Sequence, residues 1–250
     1  MSGFGSMAQF LVLQLRPETE VSDNEFAAIC EKGELEPRRA HRIRLDREEI
    51  PAGLPLMDYA GVIVGGGPGC VSDPPERKTP AEARIERSVL GIMGAITDHD
   101  IPFLGCCYGI GILGHHLGAQ VSQTRYGEAV GAVACAVADE GRSDPLIKGL
   151  PETFQAFVGH KEALQELPKG CTHLLSSATC PYQMVRYKSN VYATQFHPEA
   201  DGEVFALRIA IYKDKGYFEP SEAANLTRMC RAADVRYPAE ILRNFVRLYG

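Results

Sequence analysis

Apolar and polar positions along this chain follow two periods, one of strands and one of helices. Phe10-Leu-Val-Leu-Gln-Leu15 is apolar enough for a buried first strand, and His41-Arg-Ile-Arg-Leu45 alternates like a strand with one wet face. Gly61-Val-Ile-Val64 and Pro102 to Gly105 read as two further short buried strands. Between them the period changes. Ser22-Asp-Asn-Glu25 reads as a capping box that opens a helix through about Lys32. The segment from Asp73 to Lys78 is a polar loop, after which Thr79 is an N-cap with Pro80 at the first helical position. Ile85, Val89, Ile92, Met93 and Ile96 then fall on one face of a long helix. Ile110 to Leu117 predicts the next helix. Strand and helix in alternation point to a mostly parallel sheet covered on both faces.

From about Ala119 the character changes. Ala129 to Ala138, Phe154 to Val158, Met184 to Tyr187 and Val191 to Gln195 are strand-like with few long helices between them, which predicts an antiparallel section joined to the parallel sheet. Beyond Glu199 the pattern is helical, over Glu203 to Lys213, Ser221 to Arg231 and Ala239 to Leu248. The expected fold is an α/β three-layer sandwich with a mostly parallel central sheet, an antiparallel section and a helical C-terminal extension. The expected organisation is one domain over residues 1–250, with a core of about 10–200 and an extension over 203–250 too short to be a domain of its own. No internal repeat interrupts it.

With 250 residues, 45% of them hydrophobic and 23% charged, the chain falls in the soluble globular class. A net charge of −6 supplies no basic footprint for nucleic acid or a membrane surface. The basic stretch Arg38 to Arg47 is interleaved with acids and apolar residues and reads as a solvated strand face. No run approaches the ~18 apolar residues of a membrane span. Met1 to Met7 lacks the basic-then-apolar order of a signal peptide, and Met7 reads as a natural start. Eight cysteines stand at 30, 70, 106, 107, 135, 171, 180 and 230 with no CxxC pair, so neither a zinc site nor a disulfide framework is expected, and reduced thiols in a cytoplasmic protein are. His115 and His116 are adjacent and on a helix point about 100° apart, unlike the i, i+4 pair of a metal site. No metal and no cofactor is expected.

The chemistry gathers at two short motifs. In Pro102-Phe-Leu-Gly-Cys-Cys-Tyr-Gly-Ile-Gly111 an apolar run meets a small-residue turn and resumes as a helix. A thiol at such an elbow lies at the positive end of a helix among free N–H groups, which lowers its pKa and favours the thiolate. Successive strand side chains alternate faces, so Cys106 and Cys107 point apart and only one is the nucleophile. Cys106 is read as a buried small hydrophobe. The N–H of Tyr108 can face a developing oxyanion, and Gly105 and Gly109 leave room for the turn. Further on, Ala193-Thr-Gln-Phe-His-Pro-Glu199 puts a His beside a Pro, with Glu199 two residues on to fix the tautomer of His197.

Gly65-Gly-Gly-Pro-Gly69 has two readings. One is a dinucleotide-binding turn, but Cys70 occupies the third glycine position and the double proline at 74 and 75 makes an immediate helix unfavourable. The other, preferred, is a loop of backbone donors that completes an oxyanion hole.

Together these motifs resemble those of class I (triad-type) glutamine amidotransferases. Gly-Cys-Cys-Tyr-Gly-Ile-Gly is similar to their nucleophile elbow, Gln-Phe-His-Pro-Glu to their His/Glu motif and Gly-Gly-Pro-Gly to their oxyanion loop. Val158-Gly-His-Lys-Glu162, followed by Leu167-Pro-Lys-Gly170, is similar to the loop these domains carry between elbow and His motif. The amidotransferase domains of GMP synthetases and stand-alone proteins like them look nearest. Over about residues 10–200 the resemblance implies Cys107 as nucleophile, His197 as base, Glu199 as its orienter, and the N–H groups of Gly67 and Tyr108 as oxyanion donors. It also implies attack on the glutamine side-chain amide, release of ammonia and hydrolysis of a γ-glutamyl thioester. In one respect the chain departs from the family. Four residues after the nucleophile, where the family has a Gln that helps hold glutamine, stands Gly111. Gly69, Gly111, His160 and Glu162 are the candidate substrate-binding positions.

The expected function is therefore a Cys-His-Glu glutaminase acting on glutamine or another γ-glutamyl compound. The chain has neither Ser-Gly-Gly-Val-Asp-Ser nor Gly-x-x-x-x-Gly-Lys-Ser/Thr to activate an acceptor with ATP, so the expectation is that it serves a separate synthetase or acts as a plain amidohydrolase. A γ-glutamyl hydrolase acting on a peptide or amine is the alternative that Gly111 motivates. A non-catalytic regulatory or binding subunit is the alternative from another class.

Overall fold

The computed structural model describes residues 8–250; the reading of Met7 as a start lies outside the described residues. In chain order the elements are β1 (Phe10–Gln14), α1 (Thr19–Lys32), β2 (Ala40–Arg44), β3 (Gly61–Val64), α2 (Pro80–His99), β4 (Phe103–Cys106), α3 (Tyr108–His116), β5 (Val121–Ser122) and β6 (Glu128–Val137). There follow β7 (Thr153–His160), β8 (Ala163–Leu164), β9 (Cys171–Ser177), β10 (Met184–Tyr187), β11 (Val191–Thr194), α4 (Gly202–Tyr212), α5 (Ala223–Ala232) and α6 (Pro238–Tyr249). Nine strands form one sheet in the order β2-β1-β3-β4-β11-β10-β9-β6-β7. The first five are parallel, and from β11 through β10, β9 and β6 to β7 every pairing is antiparallel. This is the α/β sandwich expected from the pattern, with β9 as an added strand that the residue pattern did not mark.

Strand alternation assigns the two covering layers. Leu11, Leu13, Val62, Val64 and Phe103 pack with Ile85, Val89, Met93 and Ile96 of α2 and Ile110 and Leu113 of α3. Phe10, Val12, Ile63, Leu104 and Cys106 face the other way, toward Ile29 of α1 and Ile241, Leu242 and Phe245 of α6. Helix α2 begins as its sequence predicts: Thr79 accepts from Glu82 N–H, and the Glu82 carboxylate accepts from Thr79 N–H.

Two expectations are corrected. Ser22-Asp-Asn-Glu25 caps nothing, because α1 already starts at Thr19 and both Ser22 and Glu25 are fully buried within it. Ser22 Oγ donates to Gln14 (3.1 Å) and Glu25 accepts from Arg16 (2.9 Å), so the polar pair on an otherwise apolar helix face serves the end of β1. Arg44, read as part of a wet face, is buried and paired with Asp46 at 2.8 Å. The C-terminal helices cover the sheet: Phe245 of α6 is fully buried, 6.0 Å from the ring of Phe10 on β1. Replacing it by Ala leaves a cavity under the parallel strands, and Phe245→Ala is expected to cost about 3–5 kcal/mol of unfolding free energy. Denaturant titration checks this; a loss within error of zero would show that α6 is not part of the core.

Candidate functional site

The parallel pairing of β4 with β11 aligns Cys106 with Thr194. Both chains then leave the sheet at the same end, so the elbow at Cys107 and the segment Gln195–Glu199 emerge side by side. Cys107 N–H donates to Thr194 O at 2.7 Å, which fixes the two exits together. The elbow is strained: Cys107 has φ 55° and ψ −93°, sparsely populated for a residue with a Cβ, and it stands at the N-cap of α3. The turn depends on glycine, since a Cβ on Gly105 would lie 3.0 Å from the backbone of Gly109. Cys106 points into the apolar layer beneath α1 and α6 and is 2% exposed, against 9% for Cys107.

His197 is held by a bond from its N–H to Phe157 O (3.1 Å) and by the edge of its ring on Phe205. Its Nδ1 lies 2.9 Å from Glu199 Oε1, so Nδ1 carries the proton and Nε2 keeps the lone pair. Cys107 and His197 line one small cavity together with Gly67, Arg16, Arg208 and Phe218. Cys107 also lines a second cavity with Gly67, Gly69, Tyr108, Lys161 and Glu162, which His197 does not reach. The thiol thus sits between two spaces, one shared with the base and one with the loop Gly65–Gly69. A wider cleft of about 400 Å³ opens beyond Gly67, Gly69 and Tyr108, and Tyr217 and Lys161 line both it and the second cavity. Tyr217 donates to Pro68 O at 3.1 Å and so closes over the loop.

A dinucleotide turn is not what Gly65–Gly69 forms: no helix starts until Pro75–Arg77, a short 3₁₀ turn, and α2 begins at Pro80. Close packing dictates its glycines. A Cβ on Gly65 would stand 2.4 Å from Glu25 Oε2, and one on Gly66 2.6 Å from the ring of His197. Gly111 has a physical explanation too. A Cβ there would lie 2.7 Å from Glu162 Oε1, because this carboxylate reaches across from the loop after β7 and fills the space above α3. Glu162 is anchored by Val71 N–H (2.9 Å), Ser72 N–H (2.8 Å) and Ser72 Oγ (2.7 Å). His160 lines the same cavity, but its two ring nitrogens are engaged, Nδ1 with Glu162 O and Nε2 with Glu128, each at 2.8 Å.

Glu128, His160 and Cys180 form a second buried cluster whose donor atoms lie within 4.8 Å of one another. The Glu128 carboxylate there accepts from Ser177 and Gln183 as well as His160, and also from Thr179. With its oxygens taken, this cluster is a hydrogen-bond network that ties β6 and β7 to the loop carrying Glu162.

Sequence reasoning passed over a group of buried charges behind the base. Arg16 donates from Nε to Glu25 (2.9 Å), and Arg208 of α4 donates from Nη2 to Glu199 Oε1 (2.7 Å). Arg208 also lies 3.7 Å from Glu25. The signal was present, since Arg208 interrupts the apolar face Val204, Phe205 and Ile209, and Glu25 sits among Val21, Ala28 and Ile29.

The model of the glutamine amidotransferase class-I family matches residues 28–210, a stretch that contains the elbow, the His motif and Glu162. The chain belongs to the class I glutamine amidotransferase family. It is with that an enzyme of a cysteine-based amidohydrolase kind. The GMP synthase (glutamine-hydrolyzing) of Bacillus velezensis is 33% identical over 163 residues, 64% of this chain and 27% of that protein. That of Thermosipho africanus is 30% identical over 157 residues, 61% of this chain and 26% of that protein. The chain thus spans about a quarter of the length of these relatives. Among solved structures, a glutamine amidotransferase from Thermotoga maritima superposes with a TM-score of 0.76 at 20% identity, covering 97% of this chain and 98% of its own. One from Methylobacillus flagellatus gives 0.68 at 16% identity over 98% and 96%. At these identities the likeness is one of fold.

The electrostatics of this amidotransferase correct one expectation. The elbow does not favour the thiolate at rest: burial pushes the Cys107 thiol up to about 12, with Glu199 and Glu162 adding to it and Arg16 and Arg208 opposing. Burial also lowers His197, helped by Arg208 and Arg16 and resisted by Glu199. For Glu199 burial alone would raise the carboxyl, but His197 and Arg208 overcome it and hold it well below the usual range. The resting state is a neutral thiol that shares a cavity with a neutral imidazole and an ionised Glu199. Alkylation of Cys107 by iodoacetamide, followed by mass spectrometry, is therefore expected to quicken steadily from about pH 7 to about pH 10. A plateau reached below about pH 8 would show a thiolate formed beforehand.

Proposed function

We propose that this chain hydrolyses the side-chain amide of glutamine through a Cys107–His197–Glu199 triad and supplies the ammonia to a separate synthetase. The observation that carries the reading is the placement of Cys107 at a strained elbow between two cavities, one shared with a neutral His197 paired to Glu199.

The acyl part of the substrate lies in the cavity of Gly69, Tyr108, Lys161 and Glu162, where Glu162 faces the substrate ammonium and Lys161 the carboxylate. Entry is from the wide cleft past Tyr217. As the sulfur attacks the amide carbon, His197 Nε2 takes the thiol proton and the N–H groups of Gly67 and Tyr108 receive the developing oxyanion. His197 returns that proton to the nitrogen, the C–N bond breaks, and ammonia departs on the His197 side. A water deprotonated by His197 then opens the thioester, giving glutamate and the free thiol. Glu199 holds the imidazole tautomer and its transient charge throughout.

The relatives support this partner. They are named as glutamine-hydrolysing GMP synthases and are about four times as long as the matched segment. This chain takes the ammonia-producing part, and a synthetase takes the rest. Among the described residues no helix is long and apolar enough to cross a membrane. A cytoplasmic setting, with the eight cysteines free, suits an exchange of ammonia between two proteins.

A γ-glutamyl hydrolase is the second reading, favoured by Glu162 standing where the family carries Gln on α3. Ammonia release from glutamine, set beside amine release from γ-glutamyl amides, decides between them. Cys107→Ala is expected to remove activity on every donor, while Cys106→Ala, whose thiol lies in the apolar layer, keeps most of it. Equal losses in two folded variants would defeat the assignment of the nucleophile.

A further inference from the structure

Glu199 has two partners on one oxygen, while its Oε2 is buried without one. Its Oε1 accepts from His197 Nδ1 at 2.9 Å and from Arg208 Nη2 at 2.7 Å. Arg208 is 5% exposed, and its Nε and Nη1 are buried without a hydrogen-bond partner. Buried donors are normally satisfied, so a guanidinium kept here with two of its nitrogens unpaired costs stability. One aromatic ring supports both partners: Phe205 lies 5.5 Å from the Arg208 guanidinium and 5.6 Å from the His197 ring centroid.

Behind this pair the charges form a chain. Arg208 is 3.7 Å from Glu25, which accepts from Arg16 Nε (2.9 Å), Gln14 Nε2 (3.2 Å) and the N–H of Gly66 in the oxyanion loop (3.3 Å). Arg16 Nη1 donates in turn to Tyr212 of α4 at 3.3 Å. The groups facing the His197–Glu199 pair are thus Arg208 and Tyr212 from α4, Glu25 from α1, Arg16 after β1, and Cys106 and Cys107 from β4 and the elbow. Two guanidiniums balance two carboxylates, so the imidazole and the thiol stay neutral until they exchange a proton.

We infer that Arg208 is a positioning residue for the triad: it fixes Glu199 as an anion in one orientation and so sets the tautomer and basicity of His197. The inference rests on the triad reading above. Its sign can be worked out. A cation beside His197 disfavours the imidazolium, and the same cation favours the Cys107 thiolate. Removing it raises both groups. The neutral base and the reactive thiol are then lost at a higher pH, and the acid limb of the kcat/KM profile moves up. Removing the anion does the reverse, so Glu199→Gln moves the acid limb down.

The test is glutaminase activity against pH for the parent, Arg208→Gln, Arg208→Lys and Glu199→Gln, with folding followed by circular dichroism. Arg208→Gln is expected to lose about 10- to 100-fold in kcat, the usual loss when the hydrogen-bonded partner behind a functional group is removed. KM changes little, because Arg208 does not line the acyl cavity. Arg208→Lys, which keeps the charge but not the planar fork, is expected to lose kcat while its acid limb stays in place. An Arg208→Gln protein that folds and keeps the parent's acid limb overturns the inference, whatever its kcat. If Arg208→Gln fails to fold, Arg208→Lys decides, and a parental kcat there overturns it. Should Cys107→Ala retain activity, it is the triad reading that has failed, not the role of Arg208.

Discussion

Everything at the site depends on the parallel pairing of two short strands, β4 and β11. Their register sets Cys106 opposite Thr194, and the bond from Cys107 N–H to Thr194 O closes the last rung. A slip of one residue would turn Cys107 into the apolar layer and bring Cys106 to the elbow, because strand side chains alternate faces. Burial on both faces of these strands is what forbids the slip. Leu104 and Phe103 must reach opposite layers, and each is fully buried where it does. Which of the two thiols reaches the elbow is therefore chosen by the core.

That placement has an electrostatic consequence. A thiol and an imidazole in a low-dielectric setting both resist charge, so burial alone leaves them inert. The compensation is a ladder of four charges, Arg16, Glu25, Arg208 and Glu199, contributed by the end of β1, by α1, by α4 and by the His motif. Each member is nearly or fully buried, and each carboxylate has a guanidinium within hydrogen-bond distance. Isolated buried ion pairs add little to stability, but breaking one leaves a bare charge and is costly. Three separate segments are locked to the loop Gly65–Gly69 by this cost, through the single carboxylate of Glu25.

The elements around the site were legible because they are local. Capping chemistry at Thr79, the helical stripe of α2 and the apolar runs of β1, β3 and β4 are all written in adjacent residues. The elbow and the His motif were legible because strain and tautomer control need particular residue types at short spacing. The ladder was not, since its members sit on separate elements that only the fold brings together, with Glu25 on α1 and Arg208 on α4 183 residues further on. Ser22-Asp-Asn-Glu25 was misread for the same reason. A short-range rule accounted for a Glu whose real partner lay on another element. The reactivity of Cys107 was misjudged because a helix N-terminus is visible in sequence, whereas the desolvation that outweighs it depends on what α4 and the segment after it lay over the thiol.

Gly111 shows how a departure in one element is answered in another. Taken alone, a glycine in a helix is a loss of about 1 kcal/mol and of a side chain that could touch substrate. In three dimensions the position is occupied after all, by a carboxylate from the loop after β7 that three donors of the segment 71–72 hold in place. That loop is itself fixed by His160, whose ring spans Glu128 on β6 and the carbonyl of Glu162. The cavity beside Cys107 is thus lined by a carboxyl where the helix itself offers no side chain, and burial raises that carboxyl against the three bonds that lower it. Glycine on the helix and glutamate on the loop are therefore one structural choice: a Cβ at 111 would stand 2.7 Å from Glu162 Oε1, and three donors hold that carboxylate where it is.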